Sequence, residues 1–435
     1  MIEDSLRSPR ALAAIWLCFL LPRLAVLLLH VAPASDAAWY YQRAASLAAG
    51  QGYLGDDGAP TAFWPPGWPM ALSLVFRLFG PSFAAVGLFN LACAALTAWL
   101  LLDLARRLAG GETAARLALL LYAVYPNAIG YVPLALTEMF YTMLLLAGAR
   151  LLIARPTAPV LAAAGIVFGF ATLVKAQTLI VIPLVLGIAL LRRPRWWRAL
   201  PSALARGALV LAIAALAVLP WSLRNCDAIG ACVPVSTNGG YTLLTGNNDS
   251  AAGDYTPGDP AVRRLEAAGL GEVGRDAEAR RLGMAWIAEH PARFVRLIPL
   301  KLWRLWAPDG EAEWGYQAGY DGYGIHASVF RALRLLNQFY YAALLAGFAL
   351  FAWIQLRRRR GAGERLIGWW LLPYAIAAYP SAIAMVFSGQ SRFHFPVMPF
   401  VALSVGWLLA GYLARRRGPG YSPSAVAMAS ANRSG

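Results

Sequence analysis

The chain has 435 residues, 59% of them hydrophobic and only 14% charged, against roughly 25% charged in soluble domains. With a mean hydropathy of +0.53, that excludes an ordinary soluble enzyme. The net charge of +16 does not make a nucleic-acid partner: the arginines at 106, 107 and 116, at 150 and 155, at 192, 193, 195 and 198, at 357–360 and at 415–417 all flank apolar runs, the positive-inside pattern.

The first apolar run, about 10–31, lacks a small-residue cleavage site and is long enough to span. The stretch from Ser35 to Pro69 then turns polar and aromatic and cannot itself cross a membrane. Asp36 opens a helix-like segment with Tyr40, Ala44, Leu47 and Ala48 on one side. Gly50 and Gly52 end it, Gly55-Asp56-Asp57-Gly58 reads as a tight turn, and Phe63-Trp64-Pro65-Pro66 re-enters an apolar segment. Residues 66–79 are too short and too interrupted to span, so they form a second juxtamembrane helix.

Further spans are expected at about 82–105, 114–131, 134–153, 158–174, 177–191, 203–221, 333–355, 366–387 and 395–414, with the 158–191 hairpin turning at Lys175. If the N-terminus is cytoplasmic, every arginine cluster falls inside. The predicted fold is an all-α polytopic membrane protein of about ten transmembrane helices. Juxtamembrane helices lie in its first outer loop, and a small mixed periplasmic region separates helices 7 and 8. The expected divisions are an N-terminal transmembrane module, 1–221, with its outer loop at 32–81; the periplasmic region, 222–329; C-terminal helices, 330–417; and a disordered cytoplasmic tail, 418–435.

Within the outer region, Asn225–Ser236 reads as two short strands around a Gly turn, which brings Cys226 and Cys232 face to face and predicts a disulfide in an oxidising compartment. Thr237–Tyr255, rich in Gly and Asn, is expected to be irregular. Residues 259–289 read as two soluble helices, and Phe294–Trp306 as an interfacial helix.

Few residues here suit chemistry. Asp36 has two readings that are compatible: a helix cap, or a general base at the membrane boundary, ringed by Trp39, Tyr40 and Tyr41. Glu138, at the start of an apolar helix, either complements the helix dipole or serves a functional partner, since an ionisable group so near the bilayer is costly. Among the cations, Arg23 and Lys301 are expected to snorkel to lipid phosphates, and Arg224 adds a further outer candidate. Arg392, with Ser391 and His394 nearby, and Lys175 are assigned to a substrate phosphate, for which arginine offers a planar fork of donors. Tyr40, Trp64 and Asn247, the last in a stretch that could roof a cavity, complete the candidate substrate-binding set with Glu138, Lys175, Arg392 and His394. The four histidines are scattered and no metal-ligand motif is present, so no metal and no cofactor is assigned; a hard cation held by Asp36 and Glu138 is the alternative. No Gly-rich phosphate loop follows a strand, which argues against a nucleotide-sugar donor.

Taken together, SDAAWYY, PTAFWPPGWP, TEMFYTMLLLAG, PWSLRNCDAIGACVPVSTNGGYTLLTGNN and SRFHFPVMPF resemble the polyprenyl-phosphate-sugar glycosyltransferases of the GT-C superfamily. The resemblance runs from Asp36 to about Arg417. It is nearest to bacterial relatives of dolichyl-phosphate-mannose protein mannosyltransferases and of the aminoarabinose transferase of lipid A. It implies an inverting transfer from a polyprenyl-phosphate-linked sugar to a glycan, lipid or protein hydroxyl at the periplasmic face of the bacterial inner membrane, with both termini cytoplasmic. Asp36 matches the family's first-loop catalytic aspartate. Ala37 stands where the mannosyltransferases often carry a second acid, and Phe63 and Trp64 stand where the aminoarabinose transferases carry charged residues, which argues against lipid A aminoarabinose transfer. The reading from a different class is a transporter or flippase of a lipid-linked glycan, but transporters place charge at mid-bilayer, whereas here it gathers at one face.

Overall fold

A computed structural model describes residues 2–108 and 111–415; the predicted tail, 418–435, lies outside the described residues. Among the described residues, six helices are long and apolar enough to cross a membrane: Pro9–Val26, Phe83–Arg107, Trp196–Ile229, Ala327–Gly361, Trp369–Val386 and Ser391–Arg415. Shorter apolar helices, Gly67–Phe79, Ala158–Val174 and Ala176–Leu191, accompany them, and the chain is a multi-span membrane protein. Gly111–Ala123 and Glu138–Ile153, of 13 and 16 residues, are buried along most of their length.

The expected span at 114–131 is broken. Pro126 cannot continue a helix from the preceding turn, so the chain ends one helix at Ala123 and starts a short one at Pro126–Gly130. Residues 131–137 are non-helical and buried. Irregular backbone at that depth survives only if protein satisfies it, and here Asn90 Nδ2 donates to the carbonyls of Val132 (3.0 Å) and Leu134 (2.7 Å), and Trp68 Nε1 to that of Ala135 (3.1 Å). The next helix can then open with Glu138.

Two helices pack closely through glycine. Gly165 and Gly169 of Ala158–Val174 face Trp196–Ile229, and a Cβ on Gly169 would sit 2.9 Å from the Ala214 carbonyl oxygen and 2.6 Å from the Ala217 Cβ, the small-xxx-small contact of membrane helices. Gly169→Ala is therefore expected to destabilise by about 1–3 kcal/mol and Gly187→Ala, where nothing lies within 4 Å, to do little. Thermal unfolding of both in detergent checks this; equal melting temperatures would dismiss the contact.

Between the long helices at 196–229 and 327–361 the chain folds into Gly239–Gly246, Pro260–Ala267, Glu272–Glu289, Pro291–Trp306 and Glu311–Gly319. Helices form where the pair at 259–289 and the one at Phe294–Trp306 are expected. Two expectations fail. No strands form at 225–236, because the long helix continues to Ile229 and its own side chains take the returning chain: Trp221 Nε1 donates to Val235 O (2.7 Å), Ser222 Oγ to Pro234 O (3.0 Å) and Asn225 Nδ2 to Val233 O (2.9 Å). Gly230, with φ of 68°, ends the helix. This turn still joins Cys226 to Cys232 in a disulfide. Nor is 237–255 wholly irregular. Gly239–Gly246 is helical, because Gly240 fits directly against Glu272–Glu289, its N–H donating to Asp276 Oδ1 (2.6 Å).

Candidate active site

Four segments meet at one end of the bundle. Asp36 is the first residue of the helix Asp36–Ala48. Ser35 before it holds φ of 51°, the sole positive φ outside glycine among the described residues, a costly conformation that bends the chain into the helix. The Ser35 side chain makes no capping bond. The Asp36 carboxylate turns instead to Arg392, whose Nη1 lies 2.7 Å from Oδ2. Arg392 belongs to the 3₁₀ turn Ser391–Val397, and its Nε donates to Gln390 Oε1 (3.0 Å).

Beside this pair lies a second. Lys175, extended between the helices Ala158–Val174 and Ala176–Ile180, points its Nζ at Glu138 Oε1, 3.4 Å away. Burial pulls the Lys175 ammonium down from its ordinary value, and Glu138 opposes the fall. Phe393 joins the two pairs: Lys175 Nζ is 5.1 Å and the Arg392 guanidinium 5.4 Å from its ring centroid.

These residues line one cavity of about 1560 Å³. Tyr40 and Trp64 form its wall near Asp36, their rings 6.2 Å apart; burial, then the Asp36 charge, push the Tyr40 hydroxyl well above its usual range. Another part of the wall is apolar, with Leu145, Leu179, Ala214, Val218 and Ile383. Glu311, Arg304 and Asp254 also reach the cavity. Glu311 accepts from Ser391 Oγ (3.1 Å), and burial pushes its carboxyl up. Sequence reasoning missed all three: Arg304 reads as one more cation of the interfacial helix, Asp254 as part of the Gly/Asn-rich stretch, and Glu311 carries only the weak signal of an acid in a helix's first turn.

Not every predicted residue comes here. His394 is fully buried away from the cavity, between the Leu305 carbonyl (Nδ1, 2.6 Å) and Asp309 Oδ1 (Nε2, 3.2 Å) and stacked on Trp306 and Tyr341. Asn247 is fully buried as well, its side chain bonded to Leu243 O, Val386 O and Lys301 Nζ. Arg224 ties the first loop down through the carbonyls of Thr61 and Tyr53. Neither Arg23 nor Lys301 snorkels. Both are fully buried because each caps the open carbonyls at a helix C-terminus: Arg23 takes Tyr122 O and Ala123 O, and Lys301 takes Val386 O (3.2 Å). Burial pulls the Lys301 ammonium down to about 8.

The other end of the bundle is basic. Helix Glu138–Ile153 carries Glu138 at the cavity and, more than three turns on, Arg150, which shares Asp103 with Arg107 (2.9 and 2.7 Å). Among the described residues no three His, Cys, Asp or Glu side chains converge as a metal-ligand set.

Residues 64–221 match the dolichyl-phosphate-mannose-protein mannosyltransferase family. No curated protein matches the chain. Among solved structures, the oligosaccharyltransferase of Archaeoglobus fulgidus, tethered to an acceptor peptide with an NVT sequon, superposes over 95% of this chain and 50% of its own, with a TM-score of 0.54 at 13% identity. Its apo form gives 0.52 at 10% identity, over 96% of this chain and 54% of its own. This chain thus spans about half the length of that enzyme. ArnT from Cupriavidus metallidurans bound to undecaprenyl phosphate matches over 91% of this chain and 76% of its own, with a TM-score of 0.44 at 16% identity. The match thus covers residues 64–221, and the chain shares the fold of the oligosaccharyltransferase.

Proposed function

We propose that the chain is an inverting glycosyltransferase that moves one sugar from a polyprenyl-phosphate donor to an acceptor hydroxyl, at the periplasmic face of the bacterial inner membrane with both termini cytoplasmic. The observation that carries this reading is the Asp36–Arg392 pair beside Lys175 and Glu138, in a cavity part of whose wall is apolar. A donor with a lipid tail and an anionic phosphate needs that arrangement, its tail in apolar surroundings and its phosphate among cations. The division into a catalytic transmembrane module, 1–221, an outer region, 222–329, and C-terminal helices, 330–417, fits this, since the first and last supply the paired residues.

The acceptor oxygen attacks the anomeric carbon while the bond from that carbon to the phosphate oxygen breaks on the opposite side, inverting the centre. Asp36 takes the acceptor's proton, and Arg392 and Lys175 hold the charge left on the departing polyprenyl phosphate. In the unliganded site Arg392 neutralises Asp36. An arriving phosphate competes for Arg392 and frees the carboxylate to act as base, so donor binding and base activation are coupled.

Purified protein given a radiolabelled polyprenyl-phosphate sugar and membranes of its own host is expected to release polyprenyl phosphate and label an acceptor of inverted linkage. Flipping of an intact lipid-linked glycan with no bond cleaved would replace this reading with the transporter. Because Asp36 and Glu138 are each paired with a cation and no ligand set accompanies them, activity is expected to survive EDTA. Loss of turnover on chelation, restored by a divalent ion, would reassign both carboxylates as ligands.

A further inference from the structure

The cavity wall carries a row of rings that the transfer chemistry leaves unexplained. It starts at Tyr40, one turn from Asp36, and continues through Trp64, Phe63, Tyr241 and Tyr255, with successive centroid separations of 6.2, 5.3, 6.1 and 6.4 Å. All of these rings line the cavity. Tyr40 is buried, Phe63, Trp64 and Tyr241 are half-buried, and Tyr255 is 42% exposed, so the row leads from the base to the opening.

The rings are held in place. The Tyr241 hydroxyl donates to Glu266 Oε1 (2.6 Å), the Arg275 guanidinium sits 5.5 Å from the Phe63 centroid, and Trp39 packs edge-on against both Tyr40 and Trp64. The segment bearing Phe63 and Trp64 is itself clamped, since Glu272 accepts from Thr61 Oγ1, Ala62 N and Thr237 Oγ1. Preorganised aromatic faces cost little entropy on binding. Polar side chains able to accept hydroxyl hydrogens line the same cavity: Asp254, next to Tyr255 in the chain, and Asn238, three residues before Tyr241. Ring faces for the C–H faces of pyranoses, with carboxylates for their hydroxyls, are the chemistry of carbohydrate recognition. The described residues form no strand, so an extended peptide finds no open strand edge to pair with.

We propose that the acceptor is a saccharide laid along the row Tyr40–Trp64–Phe63–Tyr241–Tyr255, its far units at Tyr255 and its reactive hydroxyl at Asp36. This rests on the transferase reading above. In this arrangement the donor's phosphate lies at Arg392 and Lys175, and the acceptor approaches along the aromatic row of the same cavity.

The test uses the full chain in nanodiscs without donor, titrated with linear tetra- to hexasaccharides of mannose, glucose, galactose or arabinose and followed by saturation-transfer NMR. At least one fragment should bind, with Tyr255→Ala and Phe63→Leu each weakening it by up to about tenfold while polyprenyl-phosphate binding is unchanged. A peptide panel should give no signal. Peptide binding in place of saccharide, saccharide binding to none of the fragments, or binding indifferent to both substitutions would overturn the row as an acceptor site. A wild-type protein that binds saccharide along the row yet never consumes donor would sink the transferase reading and leave the saccharide site standing.

Discussion

Asp36→Asn is expected to lower sugar transfer by about 10²–10⁴-fold, the contribution of a positioned general base, while leaving the fold and donor binding intact. The substitution keeps the side chain's shape and an oxygen facing Arg392, but removes the proton acceptor. Little stability depends on the carboxylate, because it sits in the helix's first turn rather than at its cap, and its charge there contributes about 0.3–1 kcal/mol through the helix dipole. Donor affinity should stay equal or rise, since the anion that competes with phosphate for Arg392 is gone. Transfer assays paired with polyprenyl-phosphate binding separate the two effects. Near-normal turnover by the Asp36→Asn protein would remove Asp36 as the base and make Glu138, 3.4 Å from Lys175, the next carboxylate to test.

Arg392→Ala should act on the other side of the same pair. A hydrogen bond to a charged group contributes about 1.5–3 kcal/mol, so donor use should weaken by roughly 10- to 100-fold, seen first in the KM for donor. Arg392→Lys keeps the charge but loses the planar fork and should fall between. Arg296→Ala, an exposed cation on the interfacial helix Pro291–Trp306, should do little and serves as the control, a role the buried Lys301 cannot fill. Equal, small effects at 392 and 296 would mean that Arg392 only anchors its helix.

Much of the architecture follows from local signals in the sequence. Long apolar runs with arginine ends demanded helices of membrane length, because unsatisfied backbone cannot remain in hydrocarbon. The helix at Asp36–Ala48, the short one at Gly67–Phe79 and the hairpin turning at Lys175 were all legible from periodicity and from glycine and proline breaks. The candidate residues were legible as types, since a lone carboxylate or cation beside an apolar run is costly and so conspicuous.

What those charges face was decided by tertiary structure alone. Asp36 and Arg392 are 356 residues apart in the chain yet 2.7 Å apart in space, and no periodicity encodes such a pairing. The same holds for the cations that turned out to be structural. In sequence, Arg23 and Lys301 are expected to reach lipid phosphates and Arg392 a substrate phosphate, but whether a cation meets lipid, a helix's open carbonyls or a carboxylate depends on where distant helices end. Pro126 broke one helix at Ala123 and so made the acceptors that Arg23 buries itself to satisfy. His394 and Asn247 were drawn into the interior for the same reason, to carbonyls left open at Leu305 and Val386. Helix formation is set within a few turns of chain, whereas the partner of a buried charge is set by whichever unsatisfied group the packing of remote segments brings within about 3 Å.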